Sequence, residues 1–526
     1  MRKQDRERTT IEVGNRVHSR IASLGDPAVE RALQDALYYE RRRLDAERSS
    51  PGVESDRAFW REVQNELYSA SAEKQRELLR MVVQRHTEEI VGKFDPRVYA
   101  LVTRLVPPAL GLLLNAATPR ELARQIPQGM NIQNNIIIQG HTASLQRLHR
   151  HGRVILVPTH FSHLDSVVAG WVLYALRLPP FAYGAGLNLF TNPMLSFFMH
   201  NLGAYKVDRK KKHELYKEVL KEYCTVSLEF GYDNLFFPGG TRARSGAVES
   251  KLKLGLLGCG ISAFQNNLRA RRPQSKVFIV PASLSYHLVL EAETLVEDFL
   301  QEQGKSRYII DDDEATSPRR VYDFVKNLIT LDARIYCTIG KALDPFGNEV
   351  DDDGTSRDSR GRPIDINRYV MEEGQLKLDE QRDRVFTEQV GQRVVESLHR
   401  GNVILSTNLL ARTLWSMIRS GNRSMEFYTL LRTGGRQTSY NQLEVQEGLA
   451  RLLNDVRQLE SQGKLMLDSR LRGKDAEAVL NEALTHFASY HTTPVAERKA
   501  ERIFPSNMKL LYYYQNRLNG YGLDGD

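Results

Sequence analysis

The sequence predicts a mixed α/β protein in which a central domain with a mixed sheet is flanked by a helical N-terminal region and a helical C-terminal domain. Between residues 150 and 345, short β-branched and apolar runs alternate with helical patterns, which is typical of an α/β layer around a buried sheet. On both sides of this segment, apolar residues recur at the spacing of amphipathic helices. These patterns predict where the sheet and the flanking helices lie.

The N-terminal region, residues 1–95, is predicted to be helical. Apolar residues recur at helical spacing over Val29–Tyr39 and again over Phe59–Leu67. The next stretch, 96–117, is more apolar and has two interpretations, a buried helix pair or an amphipathic segment lying on a membrane. The role of residues 1–95 does not follow from the pattern.

The α/β domain is predicted to span residues 96–345, with its chemistry-bearing segments within 154–290. Its predicted strands are Val154–Pro158, Asn234–Phe237, Val277–Val280 and Ala333–Ile339. Residues 346–383 are dense in Asp, Gly, Ser and Arg, which predicts an exposed loop or linker. Helical periodicity returns over 384–526, the predicted C-terminal domain.

The composition is that of a globular protein. Of 526 residues, 41% are hydrophobic and 26% charged, which excludes a disordered, collagen-like or disulfide-rich chain. No apolar run is long enough for a bilayer-spanning helix, so we expect no transmembrane span. Cys224, Cys259 and Cys337 are widely spaced and no signal peptide pattern is present, which favours a reducing, cytoplasmic setting.

A net charge of +8 favours a polyanionic partner, either nucleic acid, an anionic membrane surface or a phosphorylated small molecule. Nucleic-acid binding predicts basic residues interleaved with exposed aromatic residues, or a known binding motif. Neither pattern is found, so a nucleic-acid partner is not expected.

The first segment that carries chemistry, Val157–Asp165, directly follows an apolar strand. His160 and Asp165 are spaced so that they can meet across one turn. A carboxylate that holds an imidazole in one tautomer leaves the other nitrogen free to take a proton from a hydroxyl. Two other interpretations stay open: His160 and His163 as capping or core histidines, and zinc ligation by His160, His163 and Asp165.

Three further segments follow in the chain. In Phe236–Gly246, glycines and the pair Arg242 and Arg244 suit either an anion cradle or a solvated loop. The basic run in Gly203–Lys212 is typical of a solvated face but also suits phosphate or lipid headgroups. Val280–Tyr286 is strand-like and by its spacing says little.

In this order, the segments resemble the blocks of the glycerolipid acyltransferase family, which acylates glycerol-3-phosphate, lysophosphatidate or dihydroxyacetone phosphate. The form His-x-Ser-His-x-Asp, seen as His160, Ser162, His163 and Asp165, looks most like the glycerol-3-phosphate branch. The other resembling blocks are Gly186–Leu189 with Gly203–Arg209, then Phe237–Gly246 and Val280–Tyr286. Arg393–Val395, Arg400–Val403, Leu409–Ala411 and Leu510–Leu518 look like the C-terminal region of the bacterial enzyme, which extends the resemblance over residues 95–526.

The resemblance implies a role for each matching residue. His160 is the implied general base and Asp165 orients it, whereas no covalent acyl-enzyme forms on the neighbouring Ser162. The implied substrate-binding residues are Arg209, Gly240, Arg242, Arg244 and Lys253. Of these, the three arginines are implied to hold the phosphate of the acceptor, and Lys253 occupies a comparable position. Ser162, His163 and Pro281 are implied supporting residues. No metal and no organic cofactor is implied, because the thioester donor already carries the activated acyl group.

Two positions depart from the family pattern. The third block normally has Glu before Gly, and here that position is Gly239, so a carboxylate implied to contact the glycerol hydroxyls of the acceptor is missing. In the second block, Asp208 stands where bacterial members often have the first of two arginines. The identity of the acceptor therefore stays open.

The implied activity is glycerol-3-phosphate 1-O-acylation in phospholipid synthesis, with acyl-CoA or acyl-carrier protein as donor. The alternatives are acylation of 1-acylglycerol-3-phosphate or dihydroxyacetone phosphate, and an inactive lipid-binding homologue. The enzyme is expected at the cytoplasmic face of the inner membrane as a peripheral protein. Segment 96–117 and the basic residues of 206–212 are the expected contacts with anionic lipid.

Overall fold

The structure is a computed structural model that describes residues 3–47, 50–100, 135–187, 201–302, 334–489, 491 and 493–523. Most of the apolar segment 96–117, and Asn188 and Leu189 of the second block, lie outside the described residues. Within these ranges no helix has both the length and the apolar character needed to cross a membrane.

Four helices form the predicted N-terminal region. They are α1 (Lys3–Ser23), α2 (Asp26–Ala46), α3 (Pro51–Leu67) and α4 (Ala72–Ile90). Ser50 and Ser71 begin α3 and α4 as N-caps, each side chain accepting a hydrogen bond from a first-turn N–H. The apolar faces of these helices pack together in a second core, distinct from the main one, which includes Trp60 and Val83. The predicted helical region is therefore confirmed.

The central sheet has seven strands within the described ranges, ordered β1-β7-β6-β2-β5-β3-β4. They are β1 (Ile136–Gly140), β2 (Arg153–Pro158), β3 (Ala182–Gly186), β4 (Ala204–Val207), β5 (Asn234–Leu235), β6 (Val277–Tyr286) and β7 (Ile335–Ile339). All neighbours pair in parallel except β6 and β7. The sheet is mixed, as predicted, and β6 is buried along its whole length.

Helices connect and cover these strands: α5 (Thr142–His151), α6 (Asp165–Ala175), α7 (Glu214–Glu229), α8 (Cys259–Arg269) and α9 (Ala292–Glu302). One face of α7 packs against α8, while another contacts α1, α2 and α4. Tyr216, Val219 and Tyr223 of α7 belong to the core of the N-terminal helices. Helix α7 thus joins the N-terminal region to the α/β domain.

Residues 346–383, predicted as an exposed loop or linker, are mostly exposed or half-buried, with some regular structure among their turns. They form two short hairpins, β8 (Glu349–Val350) with β9 (Ser356–Arg357) and β10 (Met371–Glu372) with β11 (Gln375–Leu376). Phe346, Val350 and Val370 are buried in the main core. These few apolar side chains anchor the segment to the core. Because many polar turn residues separate them, the composition alone favours a linker.

The C-terminal region is mainly helical, with α10 (Glu380–Arg400), α11 (Ser406–Gly421), α12 (Phe427–Thr433), α13 (Gln442–Ser461), α14 (Ala476–Phe487) and α15 (Met508–Gln515). Short strands accompany them: β12 (Val403–Ile404), β13 (Tyr440–Asn441), β14 (Met466–Leu467), β15 (Ala496–Lys499) and β16 (Arg502–Pro505). Its apolar side chains share one core with those of the α/β domain. Helix α15 packs against α11 and α9, which brings the end of the chain to the central sheet.

Candidate active site

The predicted site residues gather at one edge of the sheet. His160 follows β2, Phe237 follows β5, Arg209 follows β4 and Glu291 follows β6. These four strands run in the same direction, so their carboxyl ends meet at this edge, where α/β proteins usually place their ligands.

His160 and Asp165 form a hydrogen-bonded pair. His160 Nδ1 lies 2.8 Å from Asp165 Oδ2, which also accepts the main-chain N–H groups of Phe161 at 2.6 Å and Ser162 at 2.9 Å. The hydroxyl of Tyr286 donates to the other oxygen of Asp165. Because Asp165 is surrounded by donors, it acts as acceptor toward His160, so Nδ1 carries the proton and Nε2 keeps a lone pair.

The imidazole of His160 is buried and lies nearly parallel to a neighbouring aromatic ring. Its ring stacks on that of Phe237, with centroids 4.0 Å apart and an interplanar angle of 12°. Burial lowers the pKa of His160, and the hydrogen bond to Asp165 opposes this effect. The imidazole is therefore neutral at pH 7, as a general base must be.

Ser162 and His163 contact the buried carboxylate of Glu291. Ser162 Oγ donates to Glu291 Oε2 at 2.7 Å, and the His163 N–H donates to Oε1 at 2.9 Å. Burial raises the pKa of Glu291, while His163 and Arg242 oppose the rise. The Ser162 hydroxyl is thus directed to Glu291 and helps to hold the loop that presents His160.

The three predicted arginines come together beside this pair. Arg242 Nη1 lies 3.7 Å from Glu291 Oε1, and the N–H of Ala243 donates to the His160 carbonyl at 2.6 Å, which ties the arginine loop to the His160 loop. Burial lowers the pKa of Arg209, and the positive charges of Arg242 and Arg244 lower it further. Three cations close enough to repel one another are suited to a doubly charged phosphate.

Gly240 and Lys253 shape the same loop. Gly240 has a φ of +78°, and a Cβ there would lie 2.9 Å from Lys253 Cγ. The N–H of Lys253 donates to the Pro238 carbonyl at 2.7 Å. By contrast, Pro281 lies within β6 opposite Val157, so it is a residue of the sheet beside the site.

The basic run of 206–212 is partly used inside the chain. Lys211 Nζ lies 2.5 Å from Glu89 Oε2, and Lys210 Nζ lies 3.0 Å from Glu47 Oε1. Asp208 is buried and its carboxylate accepts the N–H of Lys210, which forms a tight turn. Two of the lysines therefore attach the N-terminal helices to the α/β domain.

Comparisons with known proteins point to one family. The family model described as Acyltransferase matches residues 140–285. The glycerol-3-phosphate acyltransferase of Haemophilus ducreyi is 31% identical over 183 residues, and that of Histophilus somni is 30% identical over 183 residues. Residues 140–285, which contain most of the site described above, are therefore similar to this family.

Each of these alignments covers 34% of this chain and 20% of the relative, so the match spans about a fifth of the relatives' own length. A solved structure, the 1-acyl-sn-glycerophosphate (LPA) acyltransferase of Thermotoga maritima, is 15% identical and covers 57% of this chain and 92% of its own, with a TM-score of 0.26. The predicted likeness of residues 286–526 to the bacterial enzyme stays a prediction.

The candidate site also includes residues to which the sequence analysis assigned no role. Phe237 and Tyr286 lie in recognised segments, where an aromatic residue at or just after the end of a strand was the available signal. Glu249 and Glu291 gave no signal, because single glutamates are common on surfaces. Arg517, from the C-terminal region, lies with its guanidinium carbon 3.5 Å from the centroid of the Phe161 ring.

The hydrogen bonds of Asp165 bear on the zinc interpretation of the candidate site. Asp165 Oδ2 accepts three N–H groups and Oδ1 accepts the Tyr286 hydroxyl, so its lone pairs already have partners. Among the described residues, the ligand atoms that lie close enough together to hold a metal ion belong to a different group, at the junction with the C-terminal region. This group is His287, Glu482 and His486. The arrangement of His160 and Asp165 favours proton transfer over metal binding.

Proposed function

We propose that this protein is a glycerol-3-phosphate 1-O-acyltransferase that uses acyl-CoA or acyl-carrier protein as donor. The observation that carries the proposal is the His160–Asp165 pair lying at the same sheet edge as Arg209, Arg242 and Arg244. A base beside a cluster of cations suits an acceptor that has both a hydroxyl and a phosphate. The names of the relatives support the same acceptor.

In the proposed reaction, the arginines hold the phosphate and leave the sn-1 hydroxyl at His160. The hydroxyl proton moves to Nε2 while the hydroxyl oxygen bonds to the thioester carbonyl carbon. The carbon–sulfur bond then breaks, and the proton passes from Nε2 to the sulfur of the departing thiol. Asp165 keeps the ring oriented and stabilises its transient positive charge.

The proposal includes peripheral attachment to the cytoplasmic face of the inner membrane, because a long-chain acylated product partitions into a bilayer. Co-sedimentation with anionic vesicles at low ionic strength tests this part. Absence of sedimentation under those conditions, with neutral vesicles as the comparison, would rule it out.

The activity is tested in detergent–lipid micelles by the release of free thiol from two donors. The donors are palmitoyl-CoA and acyl-carrier protein that carries a palmitoyl thioester. Glycerol-3-phosphate, dihydroxyacetone phosphate and lysophosphatidate are offered separately. Turnover is expected with glycerol-3-phosphate, and His160→Ala should lower kcat by roughly 10²- to 10⁴-fold, the usual loss for a general base.

Turnover that favours another of the three acceptors would keep the reaction class and correct the acceptor, an outcome that Gly239 leaves open. Equal activity of His160→Ala would remove the proposed base. If no donor and acceptor combination gives turnover, the lipid-binding alternative takes the place of the enzyme.

A further inference from the structure

The side chain of Glu249 occupies the space beside Gly239. A Cβ on Gly239 would lie 2.9 Å from Glu249 Cγ, closer than real Cβ atoms approach, and 3.2 Å from Glu249 Oε1, which is a tight contact. A side chain at position 239 and the present conformation of Glu249 therefore exclude each other. The third block thus lacks a carboxylate side chain at position 239. The carboxylate of Glu249, ten residues later in the chain, lies in the space beside that position.

The Glu249 carboxylate is attached to the catalytic loop. Its Oε1 accepts the main-chain N–H of His160 at 2.8 Å. Its Oε2 is shielded from solvent and, within the part of the chain that the structure describes, has no hydrogen-bond partner. A shielded carboxylate oxygen without a donor is costly, and this cost is relieved when a ligand supplies a hydroxyl.

The charge on Glu249 is sensitive to what surrounds it. Burial raises the pKa of Glu249 to about 7. The main-chain N–H groups of His160 and of Glu249 itself and the positive charge of Arg517 oppose the rise, and Asp165 adds to it. A hydroxyl that donates to the ionised carboxylate stabilises its charged form.

We propose that Glu249 is the residue that binds the second hydroxyl of the acceptor, in place of the carboxylate missing at Gly239. This inference rests on the proposed function, and it makes a phosphorylated vicinal diol the preferred acceptor class. Glycerol-3-phosphate offers Glu249 a donor beside the reacting hydroxyl. The ketone of dihydroxyacetone phosphate offers only an acceptor, which a carboxylate repels.

The test compares three variants. Two are the single substitutions Glu249→Ala and Gly239→Ala, and the third, the exchange variant, combines Gly239→Glu and Glu249→Ala in one chain. Glu249→Ala should raise the KM for glycerol-3-phosphate by roughly tenfold or more, the loss expected for a hydrogen bond to a charged group, and leave the KM for palmitoyl-CoA unchanged. Gly239→Ala should raise the same KM by displacing Glu249. Gly170→Ala is the matched control, since a Cβ there meets no atom within 4 Å.

The exchange variant decides between a binding role and a structural one. A carboxylate returned at position 239, with Glu249 shortened to alanine, should reverse most of the rise in KM that Glu249→Ala causes. Glu249→Gln keeps an oxygen for the His160 N–H and gains a donor, so it should shift preference toward dihydroxyacetone phosphate. The proposal would be overturned if a folded exchange variant kept the raised KM for glycerol-3-phosphate. It would also be overturned if a lower melting temperature of Glu249→Ala alone explained its weaker binding of the acceptor.

Calorimetric titration with glycerol-3-phosphate separates this inference from the proposed function. Binding without turnover in the parent protein would refute the proposed activity, and the affinities of the variants would still test Glu249. If the parent protein does not bind glycerol-3-phosphate, both proposals fail.

Discussion

The imidazole of His160 is subject to two opposing influences on its pKa. Burial disfavours the protonated form, and the hydrogen bond and charge of Asp165 favour it. Burial prevails, so the pKa lies below the ordinary value of about 6.5. The balance keeps the proposed base neutral at pH 7, and in the proposed reaction Asp165 stabilises the cation that forms.

This balance predicts a pH profile. With acceptor saturating, kcat should fall on acidification only below pH ~6.5, because the neutral form persists below that value. Asp165→Asn removes the influence that raises the pKa, so the fall should move to still lower pH, with kcat reduced by roughly 10²- to 10⁴-fold. Ser283→Ala, on β6 away from this pair, is the control. A fall in kcat centred above pH ~6.5 would contradict the burial argument.

The helix α15 positions the arginine loop from outside. A Cβ on Gly246, whose φ is +82°, would lie 2.2 Å from the carbonyl oxygen of Tyr513 at the end of α15. Asn516 Nδ2, just after the helix, donates to the Ser245 carbonyl at 2.8 Å. The end of the chain therefore packs directly on the loop that carries Arg242 and Arg244.

A pair of glycine substitutions tests this contact. Gly246→Ala and Gly361→Ala impose the same left-handed backbone strain, since Gly361 has a φ of +76°, but a Cβ at Gly361 meets no atom within 4 Å. Gly361→Ala should cost about 1–2 kcal/mol of unfolding free energy and leave the KM for acceptor unchanged. Gly246→Ala should cost more and raise that KM. Urea unfolding and steady-state kinetics measure both, and equal effects would show that α15 does not restrain the loop.

At the scale of the whole molecule, helix α7 joins the N-terminal helices to the α/β domain through ion pairs as well as apolar contacts. Arg16 forms ion pairs with Glu229 at 2.7 Å and with Glu222 at 3.3 Å, and Arg20 pairs with Glu222 at 2.9 Å. Below these pairs, His86 of α4 is fully buried, with Nδ1 3.2 Å from Glu89 Oε2. The N-terminal helices thus share both a core and a titratable layer with the α/β domain.

Acid should weaken this junction in a definite pH window. Burial, the largest cause, lowers the pKa of His86 to about 4, so the unfolded chain takes up a proton below pH ~6.5 that the native state does not. The associated stability is complete above pH ~6.5 and declines as pH falls toward 4, by up to roughly 3 kcal/mol. His86→Gln should reduce this dependence. Urea midpoints from pH 7 to 4.5 measure it, and parallel curves for parent and variant would refute it.

The sequence by itself determined what depends on near neighbours. His160 and Asp165 are separated by one turn, and the strand before them follows from a short apolar run, so both the pair and the strand were predicted from local pattern. The helical flanks followed in the same way from their periodicity. Strands β1, β3 and β4 were not predicted. Strands β3 and β4 contain glycine or polar residues, and the three isoleucines of β1 form an apolar run too short to distinguish a strand from a helix.

Only the tertiary structure decided what depends on packing between distant segments. Tyr286, Glu291 and Arg517 reach the site from β6, from the loop after it and from the C-terminal region. Glu249 takes the place beside Gly239 because the chain folds back after the arginine loop. Periodicity records which face of an element is apolar, but burial of a carboxylate depends on which other elements cover it, and that is settled when the sheet and the C-terminal helices pack together.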